Sequence, residues 1–107
     1  YEIEFEIGDY EKAELLLEKI GLLPCRHQQK KRHTFQLDGV TVDIDTWPQI
    51  PAYVEIEGES ESALKKVADL LGLNWETANF HNARFVIENI YKIPVGTLRW
   101  FTFERVE

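Results

Sequence analysis

The chain carries one cysteine, no methionine, four prolines and six glycines among 107 residues. A lone Cys25 closes no internal disulfide and builds no thiolate metal site, so a free structural thiol and a cytoplasmic location are expected. No apolar run approaches the ~20 residues of a membrane span and no signal-type segment opens the sequence, so no membrane partner is expected. Bases are scarce: 12 Lys and Arg face 19 Asp and Glu, for a formal net charge of -7. That balance argues against nucleic acid as a partner, because such binding needs a broad basic surface. A Gly-rich phosphate loop, a nucleophile elbow and a Cys-His pair are all missing. His27, His33 and His81 lie on different elements without metal-ligand spacing. No residue is assigned a catalytic role.

What is present is globular in composition, 44% hydrophobic and 12% aromatic, and its length fits a single small domain over residues 1–107. YEIEFEI, residues 1–7, alternates Tyr1, Ile3, Phe5 and Ile7 with Glu2, Glu4 and Glu6, which predicts a strand with one apolar face. The chain opens without Met inside that strand, which points to a fragment or one half of a larger unit. Asp9 can cap a helix in which Ala13, Leu16, Leu17 and Ile20 recur at helical spacing before Gly21. Arg26 to Leu37 reads as one long strand, and Asp38-Gly39 is a hairpin signal leading into a strand over Val40 to Thr46.

WPQIP then turns the chain into a further strand, Ala52 to Gly58. Ser60 opens a second amphipathic helix that ends near Gly72, and a third helix is expected over His81 to Tyr91. After Pro94 the pattern suits a helical turn followed by an extended tail. Trp47 and Pro48 are expected to shape their turn and cover one edge of the core. Trp100, Phe101 and Phe103 leave two readings open: packing within the domain, or a surface that meets another half-barrel. The fold class is α+β, a curved antiparallel sheet with helices packed on its outer face.

Side chains alternate across a sheet, so burying the apolar residues under helices gathers Glu2, Glu4, Glu6, Lys30, Arg32, Asp43, Asp45, Glu55 and Glu57 on the other face. One reading is an ordinary solvated face. The other rests on segregation: acids on neighbouring strands repel one another and ask for a cation, while Lys30 and Arg32 stand together on another strand. Carboxylates that hold Mg²⁺ or Mn²⁺ beside bases that hold phosphate oxygens suit a metal-phosphate ligand.

The order KKRHTF, then VDIDTWPQIPAYVEIEGES, then an amphipathic helix ending LLGL resembles the C-terminal half of CYTH-domain proteins, the triphosphate tunnel metalloenzymes. These include class IV adenylate cyclases, thiamine triphosphatases and inorganic triphosphatases. The likeness runs from Tyr1 to about Leu73 and extends more weakly to Tyr91-Lys92-Ile93. It implies half of an eight-stranded antiparallel tunnel that binds a triphosphate (ATP, thiamine triphosphate or tripolyphosphate) with Mg²⁺ or Mn²⁺.

By position, Lys30 and Arg32 resemble the phosphate-binding basic pair, and Asp45, Glu55 and Glu57 the metal-side carboxylates. Glu2, Glu4, Glu6 and Asp43 would face the tunnel without an assigned role. The family's N-terminal Glu-x-Glu-x-Lys is not matched, since Glu6 stands where the lysine would be. The implied activity is that of a cyclase or triphosphate phosphohydrolase once the tunnel is complete. The alternative is a non-catalytic half-tunnel module that senses phosphorylated ligands. Either implies a homodimer or association with a missing N-terminal half.

Overall fold

A run of β-branched residues on alternate positions pairs best with a strand on each side, and VTVDIDT takes that central place. A computed structural model describes all of residues 1–107. In it β2 (Lys31–Leu37), β3 (Val40–Thr46) and β4 (Tyr53–Glu57) form an antiparallel sheet in the order β2-β3-β4. The β2-β3 turn has consecutive positive φ angles at Asp38 (49°) and Gly39 (76°), the twist-matched geometry that a tight hairpin requires. The two outer strands each bond to β3 alone, so the sheet does not close into a barrel.

Register separates the faces. One carries the rows Phe35-Val42-Ile56 and His33-Ile44-Val54; the other carries Arg32-Asp45-Tyr53, Thr34-Asp43-Glu55 and Gln36-Thr41-Glu57. The helix α2 (Glu61–Leu70), capped by Ser60 Oγ accepting from the Ala63 N–H at 3.2 Å, covers part of the apolar face. Its Val67 packs with Val40 and Val42, flanked by Leu37, Ile56, Ala63 and Leu64. The chain enters α2 past Gly58, where a Cβ would sit 3.1 Å from Val40 Cγ2 and 3.2 Å from Leu64 Cδ2. Phe35, Ile44 and Val54 on the same face stay exposed.

A second core lies beyond the WPQIP turn. Ile50, Ile87, Val95 and Phe101 are buried together, with Trp47, Ile93, Leu98 and Val106 against them. Ile87 comes from a helical segment that starts as α3 (Ala83–Phe85) and widens into a π-helical turn over Val86–Ile90. Phe101 belongs to β5 (Trp100–Phe101) and stacks on Trp47 at 6.0 Å, while Pro48 is fully buried. Trp47 and Pro48 therefore join the turn to this core. Of the tail aromatics, Phe101 packs within the domain, Trp100 is half-buried and Phe103 is exposed.

Three expectations are corrected. Residues 1–7 form no strand and make no backbone hydrogen bond, because no other segment of the chain lies alongside to take the ladder. Glu2, Glu4 and Glu6 therefore do not belong to the charged sheet face. The helix α1 (Tyr10–Lys19) forms, with Asp9 accepting from the Lys12 N–H at 3.0 Å, but buries no residue, and Leu16, Leu17 and Ile20 are exposed. Of the two longer helices, only α2 packs on the sheet.

The expected long strand over 26–37 is in fact two. β1 (His27–Gln28) pairs in parallel with β5, and the polar residues between it and β2 hand the chain from one sheet to the other. The Gln29 N–H donates to the Phe101 carbonyl at 3.0 Å, and His27 stacks on Trp100 at 3.9 Å. The polar first half thus finds its hydrogen bonds on the C-terminal tail. No helix is long and apolar enough to cross a membrane.

Candidate functional site

The strand period places Arg32, Asp43, Asp45 and Glu55 on one face, and the antiparallel register sets Arg32 directly opposite Asp45. The guanidinium lies on that carboxylate in a two-pronged contact, Nε to Oδ1 at 2.7 Å and Nη2 to Oδ2 at 2.8 Å. Nη2 also reaches Glu55 Oε2 at 3.2 Å, and Nη1 stands 3.5 Å from Asp43 Oδ2. The Thr34 hydroxyl donates to Asp43 Oδ1 at 2.6 Å. Three carboxylates from two strands thus converge on one arginine. The cation that the acidic strands ask for is, within this chain, Arg32.

The cluster is graded in burial. The Asp45 side chain is 1% exposed and that of Asp43 is 8%, whereas Arg32 keeps 37% and Glu55 49% of their side-chain surface in solvent. A planar guanidinium satisfies a buried carboxylate through paired donors, which an ammonium does not reproduce. It also leaves one flank of the cluster open to water.

Charge does not balance around it. The Arg32 hydrogen bond holds the Asp45 carboxyl below its usual range. Burial pushes the Glu55 carboxyl upward, and its contact with Asp45 pushes the same way. Arg32 is held more firmly protonated by its bond to Asp45. Three carboxylates on one arginine leave negative charge in excess beside a partly desolvated Glu55, even with Arg32 and Lys30 favouring its ionised form.

Aromatic groups stand at one end of the cluster. The Trp47 indole N–H donates to the Tyr53 hydroxyl at 3.0 Å, and the Lys30 ammonium lies 5.4 Å from the centre of a Trp47 ring. Burial raises the Tyr53 phenol above its ordinary value. Lys30 itself is solvent-exposed at the start of the basic edge.

The structure brings together Arg32, Asp43, Asp45 and Glu55 and keeps Lys30 near them. Glu57 lies on the same face, but its cross-strand neighbour is Thr41, so it does not enter the Arg32 cluster. Glu2, Glu4 and Glu6 lie outside it. Thr34, Trp47 and Tyr53 take part without having been singled out for the site. Register alone could have flagged Thr34, which faces Asp43 across the β2-β3 pair. No three His, Cys, Asp or Glu side chains are grouped so as to hold a metal ion by themselves. The donor chemistry still suits a hydrated Mg²⁺, which is commonly held by one or two carboxylates and completed by water and substrate phosphate.

A cleft of about 600 Å³ also opens between β4, α2 and the segment after it, lined mainly by apolar groups that include Leu64, Trp75, Phe80 and Tyr91. Its chemistry is distinct from that of the charged face. Comparison of the chain with family models, curated proteins and solved structures gives no match.

Proposed function

We propose that this chain binds a triphosphate together with Mg²⁺ or Mn²⁺ on the charged face of its sheet, as the CYTH resemblance implies. The observation that carries the reading is the half-exposed Arg32 shared by Asp43, Asp45 and Glu55. Such a cluster accepts a ligand bearing both signs of charge: phosphate oxygens take the open flank of Arg32 and the nearby Lys30, and Glu55, the carboxylate left half-open to solvent, takes the metal. When bound, the metal supplies charge neutralisation on the phosphate oxygens.

The chain's own contribution is placement. Asp45 holds Arg32 in line, Thr34 orients Asp43, and Trp47 sits beside Lys30. Three strands form one wall of a site, whereas phosphoryl chemistry needs charge on all sides. The cyclase or phosphohydrolase activity therefore belongs to a completed tunnel, in which this chain is the C-terminal half and a second copy or the other half supplies the facing wall. The isolated chain is expected to bind rather than turn over.

Isothermal titration of tripolyphosphate with and without Mn²⁺ tests this, on the wild type, Lys30→Ala and Glu55→Gln. Neither substitution removes the Arg32-Asp45 contact, so both variants should fold. Metal-dependent binding that weakens in both variants is expected; no binding by the folded wild type would overturn the proposal.

A further inference from the structure

The chain exposes more surface than its mass accounts for. Its accessible area is 8682 Å², where a folded monomer of this mass exposes about 6,200 Å². Its radius of gyration is 16.9 Å, against about 13 Å for a compact domain of this length. Part of the difference is apolar and N-terminal: Tyr1, Ile3, Phe5 and Ile7 all lie in water, on a segment whose amides and carbonyls are unpaired. The excess of roughly 2,500 Å², shared among the arm, α1 and later exposed residues, leaves room for the ~800 Å² per partner of a standard protein interface.

Two strand edges are free to take this arm, and charge separates them. With its apolar residues on the apolar face of the sheet, the arm puts Glu2, Glu4 and Glu6 on the charged face. Along β4 they would flank Glu55 and Glu57 with no base on that strand, and like charges on adjacent strands repel. Along β2 they would flank Lys30, Arg32, Thr34 and Gln36, and the arm's apolar side would cover the exposed Phe35. The β2 edge is the complementary one.

We infer that residues 1–7 of one copy add as a fourth strand to the free edge of β2 in a second copy, and that the two copies exchange arms reciprocally. A two-fold pair satisfies both arms and both β2 edges at once. The inference does not rest on triphosphate binding, but the arm's glutamates and a phosphate ligand would meet the same two bases, Lys30 and Arg32.

Sedimentation equilibrium of the full chain is expected to show a dimer. Phe5→Pro, which removes a ladder donor from the arm and touches no core residue, should weaken it by at least about tenfold. A second variant, Phe5→Cys with Phe35→Cys in a Cys25→Ser background, places thiols on the arm and on the β2 edge at two exposed positions. A disulfide joining two chains supports the exchange. A monomeric wild type, a dimer indifferent to Phe5→Pro, a disulfide within one chain, or a dimer that forms no such disulfide would each overturn it.

Discussion

Arg32 and Asp45 face each other across β2 and β3 with two hydrogen bonds of 2.7 and 2.8 Å, one to each carboxylate oxygen, and the Asp45 side chain is almost wholly buried. A buried carboxylate held this way depends on its partner more than a surface pair does, because removing the arginine leaves a poorly solvated charge without its two donors. The same arginine is open enough on its other flank to meet a ligand. Stability and the proposed binding thus rest on one side chain.

Arg32→Ala should cost about 2–3 kcal/mol of folding stability, below the ~3–5 of a fully buried broken pair because part of the guanidinium is solvated. Arg32→Lys should recover less than half, since an ammonium cannot span both oxygens of Asp45. Urea denaturation of the three proteins at neutral pH checks both the size and the order.

Glu55 and Asp45 should pull the pH dependence of stability in opposite directions. Asp45 titrates lower in the fold than when unfolded, so its contribution is present above its unfolded value and is lost as pH falls through the folded one. Glu55 titrates higher in the fold, so the folded state holds its proton more tightly, and stability falls as pH rises from the unfolded value through the folded one. Glu55→Gln should therefore raise the melting temperature at neutral pH while weakening metal-dependent triphosphate binding. A melting temperature lowered by this substitution would contradict the excess of negative charge assigned to the cluster.

How much of this was legible beforehand follows the range of the interactions. The Asp38-Gly39 hairpin, the caps at Asp9 and Ser60 and the alternation of β3 and β4 depend on residues a few positions apart, and all were readable. The face shared by Arg32, Asp43, Asp45 and Glu55 was readable from strand parity. That one guanidinium would serve three carboxylates was not, because this depends on a side-chain conformation. The division of residues 26–37 was hidden for a different reason: the partner of His27 is Trp100, far along the chain. YEIEFEI shows which way a strand would face, but its pattern carries no information on whether a neighbour exists to pair with it.

Gly58 tests the seam between sheet and helix. An added methyl at this position would press on Val40 and Leu64 at 3.1 and 3.2 Å, both part of the small core under α2. Gly58→Ala should destabilise by about 1–3 kcal/mol through overpacking, despite the lower unfolded-state entropy that alanine brings. Pairing it with Leu64→Ala, which opens the space, should give less than the sum of the two single effects, measurable by a double-mutant cycle in urea.

Phe101→Ala reaches the other core. The ring is fully buried, packs with Ile50, Ile87 and Val95, and stacks on Trp47, whose indole N–H holds the Tyr53 hydroxyl beside the charged cluster. Emptying this position should cost about 3–5 kcal/mol, as for other phenylalanines removed from well-packed interiors. The effect should not stop at the tail. Trp47 lies 6.0 Å from the lost ring and under Lys30, so its loosening should weaken triphosphate binding as well as stability. Phe101→Leu, which refills most of the volume, should restore stability to within about 1.5 kcal/mol and restore binding with it. Binding that stays at the wild-type level in folded Phe101→Ala would show that the tail supports the fold without positioning the charged face.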